Sequence, residues 1–211
     1  APELPATTLA DNCYYNMFFS CTSLTTAPEL PAMTLAEYCY NNMFGDCTSL
    51  TTTPKILPAT VLASCCYYGM FNGCTSLTTT PELPATTLAA ECYSYMFYDC
   101  TSLTAAPELP ATTLAPYCYS DMFYNCTSLT TAPELPATTL TPYCYAVMFY
   151  HCTNLNYIKC LATDISVDHC TYYWVNDISP TGTFVKHPSM SNWTTGISGI
   201  PSGWTIENAE I

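Results

Sequence analysis

Positive charge is almost missing from this chain. Its 211 residues include Lys55, Lys159 and Lys186 but no arginine, against 16 acidic residues, for a net charge of −13. Proteins that bind a duplex or an anionic membrane surface do so by placing basic groups against phosphates, so both partners are excluded. Charged residues make up only 9% of the chain, well below the usual quarter, so the surface has to be built from Thr, Ser, Asn and Tyr. Such a surface is associated with proteins displayed outside the cell or on a virus. No run of 18 apolar residues occurs, so no membrane-spanning helix is expected. There is no CxxC, and His151, His169 and His187 are scattered, which leaves zinc without its ligand spacing and no cofactor expected. No signal peptide is visible. Ala1 stands inside a repeat phrase, so a mature product or a cut fragment is expected, and Glu210-Ile211 ends without a stop signal, so further chain is expected after it.

What the chain does have is repetition. PELPATTLA begins at Pro2, Pro81, Pro107 and Pro133, with degenerate copies at Pro28 and Pro54. The copies are 26 residues apart except for one step of 27, where Lys55-Ile56-Leu57 replaces Glu-Leu. Six repeats therefore fill residues 1–156, and a different segment, 157–211, follows as an expected C-terminal cap. Stacked repeats bury a core that none could bury alone.

Within the first copy, Leu9, Cys13, Met17 and Cys21 recur every four residues, a spacing that predicts a short amphipathic helix. Pro116 and Pro142 suit the first helical position. The Thr-Ser-Leu-Thr-Thr stretch predicts a short strand, with Leu24 inward and Ser23 and Thr25 outward. Pro-Glu-Leu-Pro then turns the chain into the next copy. The expectation is an α/β repeat solenoid with one helix and one strand per repeat, its core formed by columns such as Met17, Met43, Met70, Met96, Met122 and Met148.

The recurring pattern CYxxMFxxCTSLTxxPELPATTL resembles the BspA-like leucine-rich repeats, whose repeats end in a phrase similar to AFxxCxxLTxIxIP. The resemblance covers the six copies and implies a leucine-rich-repeat-like fold. It also implies a surface or secreted protein of bacteria or protists acting in adhesion; related repeats occur in gut-bacterial and phage-encoded proteins. The repeats here are longer and carry Met where that family has Ala, which suggests a wider turn.

Fifteen cysteines invite a chemical reading. Six pairs recur at a spacing of eight, from Cys13/Cys21 to Cys144/Cys152. Eight residues of helix span about 12 Å, beyond the reach of about 7 Å between Cα atoms in a disulfide. The cysteines therefore read as small buried hydrophobes. Glu3, Glu29, Glu82, Glu108 and Glu134 share one repeat position and read as a solvated acidic edge, with a calcium site as the alternative. Asp164, Asp168, His169 and Cys170 lie close together but follow no catalytic spacing, so they read as cap residues. No enzyme activity is expected.

The positions that vary between copies carry Tyr, Asn, Ser, Asp and Gly, the composition of antibody binding loops. The candidate binding residues are Tyr15, Tyr68, Tyr95, Tyr98, Tyr124 and Tyr150. The Ser/Thr rows and a tryptophan-lined tail (Trp174, Trp193, Trp204) are alternative surfaces. The expected function is recognition of a host or microbial surface protein or glycan at a cell or virion surface. A structural spacer, or the binding part of a carbohydrate-processing protein, is the alternative.

Overall fold

The structure, a computed structural model, describes residues 2–191 and 193–211. Among the described residues there is no helix. The expected helix-and-strand coil is therefore incorrect, and the leucine-rich-repeat-like architecture goes with it. None of the described segments is a helix long and apolar enough to cross a membrane.

In place of each helix stands a ribbon of overlapping turns, at 11–20, 37–46, 64–73, 90–99, 116–125, 142–151 and 168–177. In the first ribbon the N–H groups of Cys13, Tyr15, Met17, Phe19 and Cys21 donate to carbonyls three residues back, Ala10, Asn12, Tyr14, Asn16 and Phe18. The alternate N–H groups point to the next coil, where Asn12, Tyr14, Asn16, Phe18 and Ser20 donate to the carbonyls of Glu37, Cys39, Asn41, Met43 and Gly45. Both sets of donors are thereby satisfied, one within the coil and one between coils. An α-helix cannot do this because all its donors bond internally.

The backbone shows how the ribbon is made. Three residues per ribbon, four apart, sit in the left-handed region: Asn12, Asn16 and Ser20 at φ 57°, 54° and 56°, and their equivalents in every later coil. A positive φ every fourth residue ends any right-handed helix before its second turn. The result is a two-in, two-out pattern. Cys, Tyr, Met and Phe at positions such as 39, 40, 43 and 44 turn inward and are essentially inaccessible. The residues between them point away from the core, although several, such as Asn41, Ser94 and Ser120, are covered by their neighbours.

Stacking the coils converts each inward position into a column. Phe44, Phe71, Phe97, Phe123 and Phe149 lie ring on ring, their centroids 5.5–5.8 Å apart. Tyr40, Tyr67, Tyr93, Tyr119 and Tyr145 form a second such column. Met43, Met70, Met96, Met122 and Met148 are fully buried as expected, whereas Met17, in the first coil, is 44% exposed. Leu50, Leu77, Leu103, Leu129 and Leu155 also face inward as expected. Their segments are not strands, however: the coils meet there through single parallel bridges such as Thr26↔Thr52 and Thr131↔Tyr157.

Thirteen of the fifteen cysteines are buried, Cys13 and Cys21 being exposed, and all carry free thiols. The second cysteine of each buried coil also donates its thiol to a phenylalanine carbonyl one coil back, as in Cys100 to Phe71 at 3.2 Å and Cys126 to Phe97 at 3.1 Å. A small apolar group with a weak donor is what that position needs.

The stacking does not stop at residue 156. Tyr145, Val147, Phe149 and His151 donate to the carbonyls of Cys170, Tyr172, Trp174 and Asn176, so the tail contributes a seventh ribbon. Here the three strands appear, β1 (Tyr157–Cys160), β2 (Thr183–Lys186) and β3 (Thr205–Asn208), paired in parallel in that order. The strands expected around Thr183 and Trp204 are thus present. Trp174 is fully buried against Tyr145, Phe149 and Trp193, and Trp204 is also buried, so these indoles close the end of the core.

Candidate functional site

The outward residues of the ribbons form columns in the same way, and this gathers residues that are far apart in sequence. Tyr98 and Tyr124 stack at 4.3 Å with their rings 3° from parallel, and Tyr124 continues onto Tyr150 at 5.1 Å. Tyr95 touches Tyr98 within one coil at 5.5 Å and Tyr68 in the preceding coil at 5.2 Å. Five of the six expected tyrosines therefore form one continuous chain of ring contacts. Tyr15 is apart from it: it is exposed on the first coil, and Asn41 holds its position in the second.

A second row runs beside the first. Tyr117 stacks on Tyr143 at 4.6 Å, and Tyr143 on His169 at 4.9 Å, with Tyr172 edge-on to His169. The sequence reading missed Tyr117, Tyr143 and Tyr172. Tyr117 and Tyr143 precede the first cysteine of their copies, where a helix would have made them an unremarkable flank. Tyr172 sits in the tail, whose repeat phrase has been lost.

Between the rows lies a trough of about 360 Å³, lined by Tyr68, Tyr95, Tyr117, Tyr143 and Tyr172 together with Glu91, Ser94, Ser120, Asp121, Ala146 and Val147. Its shape follows from one column. Tyr68, Ser94, Ser120, Ala146 and Tyr172 occupy equivalent positions in successive coils, so three small side chains make a floor and a tyrosine closes each end. The floor hydroxyls are engaged: Ser94 donates to the Ser120 carbonyl at 3.1 Å and Ser120 to the Asp121 carboxylate at 2.7 Å.

The trough is acidic. Burial pushes the Asp121 carboxyl above its usual range, and hydrogen bonds from Ser120 and Tyr95 only partly oppose the shift. Burial and then the Asp121 charge push up the Tyr95 hydroxyl, while burial and then the neighbouring Tyr124 raise Tyr98 to about 12. These phenols stay neutral and act as donors and as flat apolar surfaces.

The other candidate surfaces differ. Ser23, Thr25, Ser49 and Thr51 do face outward, but several hydroxyls of these rows are spent on the neighbouring coil, as in Thr51 to Thr25 at 3.1 Å and Ser128 to Thr101 at 2.6 Å. On the glutamate edge Lys159 pairs with Glu134 at 3.0 Å, and the Lys55 backbone N–H reaches Glu29. Among the described residues no group of three His, Cys, Asp or Glu side chains is placed to hold a metal ion. In the tail, Asp164, His169 and Cys170 line a cavity of about 460 Å³. The Cys170 thiol donates to the Ile165 carbonyl at 3.4 Å and burial raises its pKa, while His169 bonds Asp168.

Neither protein-family models, curated proteins nor solved structures give a match to this chain.

Proposed function

We propose that this chain is a non-enzymatic recognition module that binds a host or microbial surface protein or glycan, displayed at a cell surface or on a virion. The observation that carries the reading is the unbroken ring chain Tyr68–Tyr95–Tyr98–Tyr124–Tyr150 on one face of the stack. Tyrosine offers a large amphipathic contact at the cost of only two side-chain torsions, and its rings here are held in place by the coils beneath them. A face ordered before binding loses less entropy when a partner arrives. The acidic balance of the chain argues against nucleic acid as that partner. A non-catalytic role is further supported by the thiols: thirteen are buried, and burial raises the pKa of residues such as Cys39 and Cys47 to about 11, so the thiolate form is scarce.

The test is an array of glycans and surface proteins probed with the intact chain and with a variant in which Tyr98, Tyr124 and Tyr150 are all serine. Saturable binding that weakens tenfold or more in the variant is the expected result. Undiminished binding in the variant would remove recognition from this face, and no binding to any probe would favour the spacer reading.

A further inference from the structure

The trough points to the chemical class of its ligand. We propose that it is a binding site for a substituted ammonium ion, seated over the open face of Tyr117 between Glu91 and Asp121. The proposal rests on the recognition reading above and narrows it.

The argument starts from the end of a column. Tyr143 covers one face of Tyr117, and among the described residues no stacked ring covers the other, because Glu91 holds the equivalent position one coil back. An aromatic face with a carboxylate one coil away is where a cation gains most: the ring quadrupole and the carboxylate charge attract it together. Tyr68 and Tyr95 close the trough around that position, in contact with each other at 5.2 Å, and Ser94 provides a small floor. The second carboxylate, Asp121, is fixed in orientation by Ser120.

Among the described residues no cation pairs with either of these two carboxylates. No lysine lines the trough, and the chain has no arginine. Lys159 is held by Glu134, and Lys186 donates to the Met190 carbonyl at 2.8 Å. A neutral ligand would gain only the aromatic contact, whereas an ammonium ion also pairs with the half-buried Asp121. A compact ammonium group with an apolar skin also fits a site walled by five phenol rings.

The shared chemistry has two sources, a quaternary ammonium head group of the choline type and a primary ammonium of the lysine type. Calorimetric titration of the full chain with tetramethylammonium, with n-butylammonium and with neutral 3,3-dimethyl-1-butanol separates them at fixed ionic strength. One of the two ammonium ions is expected to saturate with an affinity roughly tenfold or more above that of the neutral alcohol, the advantage expected from cation–π and charge attraction. Tetramethylammonium as the better ligand assigns a quaternary head group; n-butylammonium as the better ligand assigns a lysine side chain.

Glu91→Gln and Asp121→Asn are each expected to lower ammonium affinity severalfold. Glu108→Gln, which removes the same charge on the proline-rich edge, is expected to leave it unchanged. Equal affinity for the neutral alcohol would overturn the proposal, as would no saturation by either ammonium ion at tens of millimolar. The wild-type comparison of ligands needs no variant to fold. Array binding without ammonium binding retires this site and leaves the recognition reading standing; ammonium binding without any array partner does the reverse.

Discussion

Replacing Asp46 separately by glycine and by alanine tests the turn ribbon directly, because a helix and a ribbon demand opposite orders of stability. Asp46 is exposed, has φ 56°, and lies in the second coil, away from the open end of the stack. Both variants lose the same charge and the same side-chain oxygens, so comparing them with each other cancels electrostatics. In a helix, alanine is better than glycine by about 1 kcal/mol. In the left-handed region, the Cβ of alanine costs about 1–2 kcal/mol. Against that, glycine gives up about 0.5–1 kcal/mol of extra chain entropy. The ribbon therefore predicts Asp46→Gly to be the more stable of the two by up to about 1.5 kcal/mol, whereas a helix puts alanine ahead by about 1 kcal/mol. Urea unfolding followed by tyrosine fluorescence and by far-ultraviolet circular dichroism measures it, provided both probes give one transition, which a stack of coils has to demonstrate. Alanine better than glycine by the helical margin of about 1 kcal/mol would refute the left-handed backbone at this position, and with it the account of why no helix forms.

Other consequences can be checked with the same protein. Tyr93 is buried with a hydroxyl that finds no partner, so Tyr93→Phe is expected to be neutral or to stabilise by up to about 1 kcal/mol, while Phe97→Ala beside it costs about 3–5 kcal/mol; chemical denaturation measures both. Alkylation of the native chain near pH 8 is expected to label Cys13 and Cys21 quickly and the thirteen buried thiols only on unfolding, as read by intact mass; fast labelling of Cys100 or Cys126 would contradict the packed core. Burial raises the Asp121 carboxyl above its unfolded value. Its stability contribution is therefore fully present below the unfolded value, about 4, and is lost as pH rises through the folded value. Asp121→Asn is accordingly expected to gain stability relative to the parent as pH rises from about 4 to 7, and a constant difference across that range would remove the desolvation argument.

Much of the coil was legible from the residues. The period, the inserted residue at Lys55-Ile56-Leu57 and the inward Met and Leu columns follow from repetition and hydropathy alone, because any stacked architecture must bury the same positions. The near absence of positive charge, which argues against a nucleic-acid partner, is likewise read without any structure.

The local backbone was misjudged because a spacing of four suits two structures. Leu9, Cys13, Met17 and Cys21 look like a helical stripe, but at 3.6 residues per turn such a stripe drifts by roughly 40° per step and ends about 120° away. A strict period of four fits the two-in, two-out ribbon instead. A further signal was present in Asn16, Asn42, Asp46, Gly69, Gly73, Asp99, Asp121 and Asn125, which occupy left-handed positions. Their amino-acid types favour that conformation, yet on a presumed helix they read as binding-loop composition.

The sequence by itself determined the repeat, the columns that must be buried and the sign of the surface charge. Which outward residues meet was decided only by the tertiary structure. Neighbours in this stack are about 26 residues apart, joined by backbone bonds such as Tyr93 N–H to the Cys118 carbonyl, so the offset of that ladder chooses the partners. It places Tyr117 on Tyr143, ends their column at Glu91 and sets three small residues between Tyr68 and Tyr172 to open the trough. No spacing within a single copy contains that information, because the bonds that set the offset run between copies.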